Sequence, residues 1–261
     1  MCTLIALHRC IPGAPLVVAA NRDEFADRPA RGPALRETEH GIVVAPLDAQ
    51  AGGTWLGLNP IGMFAAITNR RSDARDPSRR SRGLLVLDAL GAACAAEAAA
   101  AALETPPGAY NPFNLFVADR ERAFAITYGA APRCIELSPG PHVIGNADLD
   151  APPPPKVARL ADRAARLAAA PGASLLERLA ELCRGHDSGG APTDDACVHA
   201  GSYGTRSSTL LRLAETASES ELHFADGAPC QTAYQDFTPL LHELQCGPSS
   251  VEGEPLARRP I

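Results

Sequence analysis

Cysteine stands second in the chain, directly behind methionine, and the strand that must fold back onto it ends in Asn21-Arg22-Asp23-Glu24. A residue as small as cysteine permits removal of an initiator methionine, which leaves one residue carrying both a thiol and a free α-amine. The amine titrates at about 7.7–8.0 and the thiol at about 8.5, so near neutrality one can take the other's proton. That pairing is a nucleophile with its own base. The alternative is that Cys2 merely begins a buried strand, and the polar tetrad bears on the choice. If a hairpin turns near Gly13, paired positions sum to about 26 and Cys2 lies opposite Glu24, give or take two. A carboxylate there can orient the amine, and a guanidinium can depress the thiol pKa or hold a substrate carboxylate.

Other polar residues interrupt apolar runs. Asn69 ends one apolar strand and Asn146 follows another, so both amides can emerge at one sheet edge, where each also reads as a strand-ending turn residue. Arg206, flanked by Thr205, Ser207, Ser208 and Thr209, enters an apolar strand and requires a buried anion or an active site. Gly52-Gly53-Thr54 leads into Trp55, the only tryptophan, which belongs to the core or to a pocket wall; the spacing is not that of a dinucleotide fingerprint. Residues 70–82 hold six Arg against two Asp, either as a solvated loop or as a holder of an anionic substrate tail beside Asn69.

Taken together, Cys2, Asn21-Arg22-Asp23-Glu24, Gly52-Gly53-Thr54-Trp55-Leu56-Gly57, Ile67-Thr68-Asn69, Ser81-Arg82-Gly83, Tyr110-Asn111, Phe113-Asn114-Leu115, Pro155-Lys156-Val157 and Tyr203-Gly204-Thr205-Arg206-Ser207-Ser208 resemble the NRDE family, whose eukaryotic members are called transport and Golgi organisation proteins. The resemblance runs over residues 1–240. Residues 145–150 depart from it, since the family more often shows Ser-Asn there and a Trp near Pro153. The resemblance implies a four-layer αββα fold of the N-terminal-nucleophile hydrolase type, similar to cysteine enzymes that cleave penicillin V, conjugated bile salts and N-acyl amides. Carried over, it implies Cys2 as nucleophile, Arg22 and Asp23 as its tuning pair, Asn69 and Asn146 as oxyanion and substrate donors, and Arg206 beside the nucleophile. Asn21, Glu24, Trp55 and Arg70 are the expected substrate contacts. The leading reading is an amidohydrolase for a small acyl-amide. The alternative is a binding or trafficking protein for haem or lipid-like acyl compounds on the same scaffold.

The elements that position these residues alternate in kind. Short apolar runs at 3–8, 16–20, 41–46, 54–58 and 62–68 read as strands, followed by a long Ala-rich helix over 83–104 capped by Ser81. Strands return at 113–118, 122–128, 133–137 and 142–144; helices follow at 157–170 and 175–183, split by Pro171-Gly172, and strands again at 207–213 and 221–225. Strands, helices and strands in that order give an α+β class with an antiparallel sheet core. No repeat and no composition break divides the chain, so a single domain is expected over 1–246 with a frayed tail over 247–261.

Composition narrows the partners. The 261 residues carry a net charge of −6, which offers no whole-molecule attraction to nucleic acid or anionic lipid. Ala accounts for 49 positions, and 23 of the 24 cationic residues are Arg, Lys156 being the exception. Residues 84–103 imitate a membrane span, but Asp88 and Glu97 cost about 2.5–3.5 kcal/mol each at a bilayer centre, so no span is expected. Eight cysteines without a C-x-x-C pair, and an N-terminus without an uninterrupted apolar stretch, lead to the expectation of a reducing, cytoplasmic setting. Cys197-Val198-His199 reads as a core accident, and no metal or cofactor is expected.

Overall fold

The computed structural model describes residues 2–70, 76–172, 174–187 and 189–246; the tail expected at 247–261 and part of the arginine-rich segment lie outside them. Within these residues the chain builds two antiparallel sheets of seven strands. The first is ordered β10 (Gly140–Ile144), β1 (Thr3–Ile11), β2 (Ala14–Phe25), β12 (Tyr203–Leu213), β13 (Glu221–Ala225) and β14 (Gln235–Asp236), with β11 (His199–Ala200) paired to the start of β12. The second runs in chain order through β3 (Ala30–Thr38), β4 (Gly41–Asp48), β5 (Leu56–Leu58), β6 (Phe64–Asn69), β7 (Phe113–Ala118), β8 (Ala123–Tyr128) and β9 (Arg133–Leu137).

Period-two side-chain alternation explains how the sheets stack. Leu4, Ala6, Leu16, Val18, Ala20, Leu211 and Leu213 of the first sheet meet Leu56, Leu58, Phe64, Ala66, Phe116 and Ala118 of the second in a central core. The intervening residues Ile5, Leu7, Val17 and Ala19 face outward, against α3 (Pro155–Ala169) and α4 (Leu175–Arg184). On the other side Ala65, Ile67, Leu115, Val117 and Ile126 pack on α1 (Arg82–Leu90) and α2 (Ala95–Leu103). The order of layers is helix, sheet, sheet, helix. A fifth helix, α5 (Thr238–Cys246), inserts Leu241 and Leu244 into the edge of the central core.

Besides the two-residue strands β11 and β14, three elements differ from the sequence reading. The long Ala-rich helix is two helices. Gly91 caps α1, a Cβ there would lie 2.5 Å from the His40 Cβ, and α2 restarts with Asp119 Oδ2 accepting from the Ala95 N–H at 2.8 Å and Glu97 Oε2 accepting from the Ala93 N–H at 2.8 Å. Neither these nor any other helix among the described residues is long and apolar enough to cross a membrane. Strand β3 escapes the apolar pattern because it is an edge strand, interrupted at Pro33, where the register shifts. Helix α5 was also not expected. Ser81 does cap α1, its hydroxyl accepting from the Gly83 N–H at 3.3 Å.

The β1–β2 hairpin sets the site. Pro12-Gly13 makes the turn, with Gly13 at φ +68°, and Ile11 pairs with Ala14. Arg9 takes φ +49° in a bulge, beyond which His8 pairs with Leu16 and Thr3 with Asn21. Continuing that register one step sets Cys2 across from Arg22, at the near limit of the expected window. A second close fit lies under the site, where the Thr54 N–H donates to the Gly83 carbonyl at 3.1 Å. A Cβ on Gly53 would sit 2.3 Å from the Gly83 carbonyl carbon and 2.6 Å from the Leu84 nitrogen, both backbone atoms. Gly53→Ala is therefore expected to lower unfolding free energy by about 1–3 kcal/mol, read as a reduced urea midpoint at unchanged slope.

Candidate active site

The tip of β2 is held on both sides. Toward β1 lies Cys2; toward β12, Asp23 pairs with Thr205 and Arg22 with Ser207, and Arg206 is the extra residue of the bulge between them. A strand end that would ordinarily be solvated is thereby enclosed: Arg22 is 5% exposed and Asp23 2%. Both line a cleft of about 500 Å³ together with Cys2, Glu24, Trp55 and Asn69.

Burying an arginine and an aspartate side by side demands partners. The Arg22 guanidinium lies over the Trp55 ring, 4.4 Å from its centre, and 3.7 Å from Asp48 Oδ2. Asp48 is itself shared, accepting from Arg28 Nε at 2.9 Å and Nη2 at 2.7 Å. Both terminal nitrogens of Arg22 are buried without a hydrogen-bond partner among the described residues, so the Asp48 carboxylate and the indole face are what offset their burial. Burial pulls the guanidinium below its ordinary pKa, with Cys2, Glu24 and Asp48 opposing that shift. Asp23 Oδ1 accepts from the Thr205 hydroxyl at 2.7 Å, and Lys156 Nζ stands 3.8 Å from Oδ2. Burial pushes the Asp23 carboxyl up, and Lys156 and Thr205 hold it back.

Cys2 retains partial exposure as a residue, yet its thiol is desolvated, and that desolvation is the main force raising its pKa. The Asp23 charge raises it further. Two features of the β2 tip work the other way, the Asp23 backbone N–H donating to the sulfur and the Arg22 charge. The sulfur thus sits between opposing fields from neighbouring residues of one strand.

Asn69, the last residue of β6, also lines the cleft. Its carbonyl accepts from the Asn146 side-chain amide at 2.5 Å, and residues 145–147 are tied down by the Thr68 hydroxyl donating to the Gly145 carbonyl at 2.6 Å and Asn114 Nδ2 donating to the Ala147 carbonyl at 2.7 Å. Asn146 is not a lining residue, so the structure shows it supporting Asn69. Arg206 also stands off the cleft lining, with its Nε buried and lacking a partner among the described residues. Asn21 is turned away from the cleft, its amide donating to the carbonyls of Cys183 at 2.9 Å and Ala196 at 2.8 Å. Arg70 lines the cleft, but its guanidinium is engaged by Asp148 Oδ2 at 2.5 Å and the Tyr128 carbonyl at 3.1 Å. Trp55 is both core and wall.

Sequence reasoning did not single out Lys156, Thr205 or Asp48 as site residues. Lys156 carried a usable signal, being the one lysine in a chain whose other cations are all arginine. Thr205 stood in a family motif without a role of its own and meets Asp23 through pairing within one sheet, whereas Asp48 carried no signal because it meets Arg22 from the other sheet.

The sequence profile described as Transport and Golgi organisation 2 matches residues 1–225. The mouse Transport and Golgi organization 2 homolog is 34% identical over 147 residues, and the human Transport and Golgi organization protein 2 homolog 34% over 145, each match covering 52% of this chain and 52% of the relative. The chain thus spans about half the length of the curated relatives it matches. Among solved structures, the Caenorhabditis elegans N-acylethanolamine-hydrolyzing acid amidase ortholog superposes with a TM-score of 0.60 at 15% identity, over 88% of this chain and 97% of that one. At that identity the similarity is one of fold.

The opposing fields on the sulfur have a measurable consequence. Rates of iodoacetamide alkylation at Cys2, followed against pH, are expected to turn on above the ordinary thiol range. Asp23→Asn should move the midpoint down and Arg22→Gln should move it up, with rate changes at pH 7 of several-fold, about tenfold for each pKa unit.

Proposed function

Because the chain belongs to the Transport and Golgi organisation 2 family and has the αββα fold of N-terminal-nucleophile hydrolases, we propose that it is a cysteine amidohydrolase that cleaves the acyl-amide bond of a small, non-peptide substrate. The observation that carries this reading is that Cys2, Arg22, Asp23 and Asn69 all line one cleft. Such a set contains a nucleophile, a cation and a carboxylate to steer it, and a neutral donor for a developing oxyanion.

In this reading Met1 is removed and the Cys2 α-amine accepts the thiol proton. Arg22 stabilises the thiolate that burial disfavours. Asp23, held by Thr205 and flanked by Lys156, fixes the α-ammonium. The thiolate attacks the substrate carbonyl carbon, and the resulting oxyanion takes a hydrogen bond from the Asn69 amide. Collapse expels the amine, which leaves with the proton from the α-ammonium, and a thioester remains on Cys2. Water, deprotonated by the same α-amine, hydrolyses the thioester and regenerates the thiol. Asn146 acts through Asn69 by fixing its backbone.

Release of a fluorogenic amine from a panel of N-acyl amides tests the proposal. Wild-type protein should turn over at least one member, Cys2→Ala should be inactive, and Asn69→Ala should lose about 10²–10³-fold in kcat. Equal turnover by Cys2→Ala would overturn the assignment.

A further inference from the structure

Beside the start of β12, where β11 pairs with it, two thiols and two imidazoles from three separate segments converge. His186 follows α4, Cys197 and His199 flank Val198 just before and within β11, and Cys230 lies in the loop after β13. One ligand atom from each lies within 4.8 Å of every other. Cys197 Sγ is 3.6 Å from Cys230 Sγ and 3.6 Å from His199 Nε2, and His199 Nε2 is 3.2 Å from Cys230 Sγ. The rings of His186 and His199 face each other at 5.1 Å, tilted by 37°.

These separations have a simple geometric meaning. Zinc bound tetrahedrally with Zn–S about 2.3 Å and Zn–N about 2.0–2.1 Å sets its ligands about 3.8 Å apart for sulfur pairs and about 3.6 Å for sulfur–nitrogen pairs. The Cys197–Cys230 and Cys197–His199 edges lie close to those lengths and the His199–Cys230 edge somewhat below, and with a His186 nitrogen within 4.8 Å of the other three, one ion can reach all four donors after side-chain adjustment. Two thiolates and two neutral imidazoles also balance a divalent charge, and a tetrahedral S₂N₂ set selects zinc among common divalent ions. The donors are not otherwise occupied as a core would occupy them: His186, His199 and Cys230 are exposed, and only Cys197 is buried.

We propose that His186, Cys197, His199 and Cys230 form a structural zinc site. It would clasp the loop after α4, β11 and the 226–234 loop, which also meet where Arg184 Nε donates to the Pro229 carbonyl at 3.1 Å and the Cys197 N–H donates to the Gly185 carbonyl at 3.1 Å. The clasp also reaches the candidate active site. Val198, between two of the ligands, donates its N–H to the Thr205 hydroxyl at 2.8 Å, and that hydroxyl donates to Asp23. Four closed ligand positions leave none for substrate, so the ion holds structure and takes no part in bond cleavage.

Full-length, tag-free protein, stripped with chelator under reductant and titrated with Co²⁺, tests this directly. The expected result is about one cobalt per chain with a thiolate-to-cobalt charge-transfer band, displaced by Zn²⁺. Cys230→Ser and His186→Ala, both at exposed positions, should each weaken binding by at least about tenfold, whereas Cys94→Ser, at an exposed cysteine elsewhere, should bind as wild type. Zinc should raise the melting temperature of the stripped wild type and not that of Cys230→Ser. Lack of the charge-transfer band, equal binding by Cys230→Ser, or a Cys197–Cys230 disulfide persisting in reduced protein would each overturn the site.

Discussion

The enclosure of a charged strand tip is the constraint from which the rest of this structure follows. β2 runs between β1 and β12, and that pairing carries Arg22 and Asp23 into an environment where an unpartnered charge would cost several kcal/mol. The surroundings are arranged to meet the cost. An indole lies under the guanidinium, a shared carboxylate faces it, and a hydroxyl and an ammonium attend the aspartate. A chain built for stability alone gains nothing from such an arrangement over apolar side chains. It does create a field at Cys2, where the two charges act in opposite senses on one sulfur.

Much of this was legible in the sequence, because hairpin arithmetic and period-two patterning are local. The apolar runs located most of the strands, and the turn at Pro12-Gly13 brought the second residue to the polar tetrad. The bulge at Arg9 then set the pairing at the lower limit of the window, a one-residue shift that no apolar pattern encodes. Longer-range features were hidden for identifiable reasons. The break between α1 and α2 depends on an aspartate from a distant turn, Asp119, and on the approach of His40 to Gly91. β3 is an edge strand with a proline, so it never had to look like a core strand.

The sequence brought Cys2, Arg22 and Asp23 to one cleft and was less informative about that cleft's periphery. Asn21, Asn146 and Arg206 belong to the same motifs as the cleft residues, yet the first two spend their amides on backbone carbonyls and the third sits in a bulge. Motif membership marks residues that matter to the local fold as readily as residues that touch a ligand. The converse holds for His186, Cys197, His199 and Cys230, whose spacing in the chain follows no metal-binding pattern because three separate elements deliver them. Fold similarity to an acid amidase gives the scaffold, and function must be argued from the residues in the cleft.

The central claim is that the second residue's sulfur, freed at the head of the chain, is the group that takes the acyl moiety. Tandem mass spectrometry of the protein after brief exposure to an acyl-transferring electrophile reads this most directly. The account predicts an N-terminal peptide that begins at Cys2 and carries the acyl group on its sulfur, in preference to the more exposed Cys94 and Cys230. A peptide that still begins with Met1, or label distributed over the exposed cysteines with Cys2 unmodified, would contradict it.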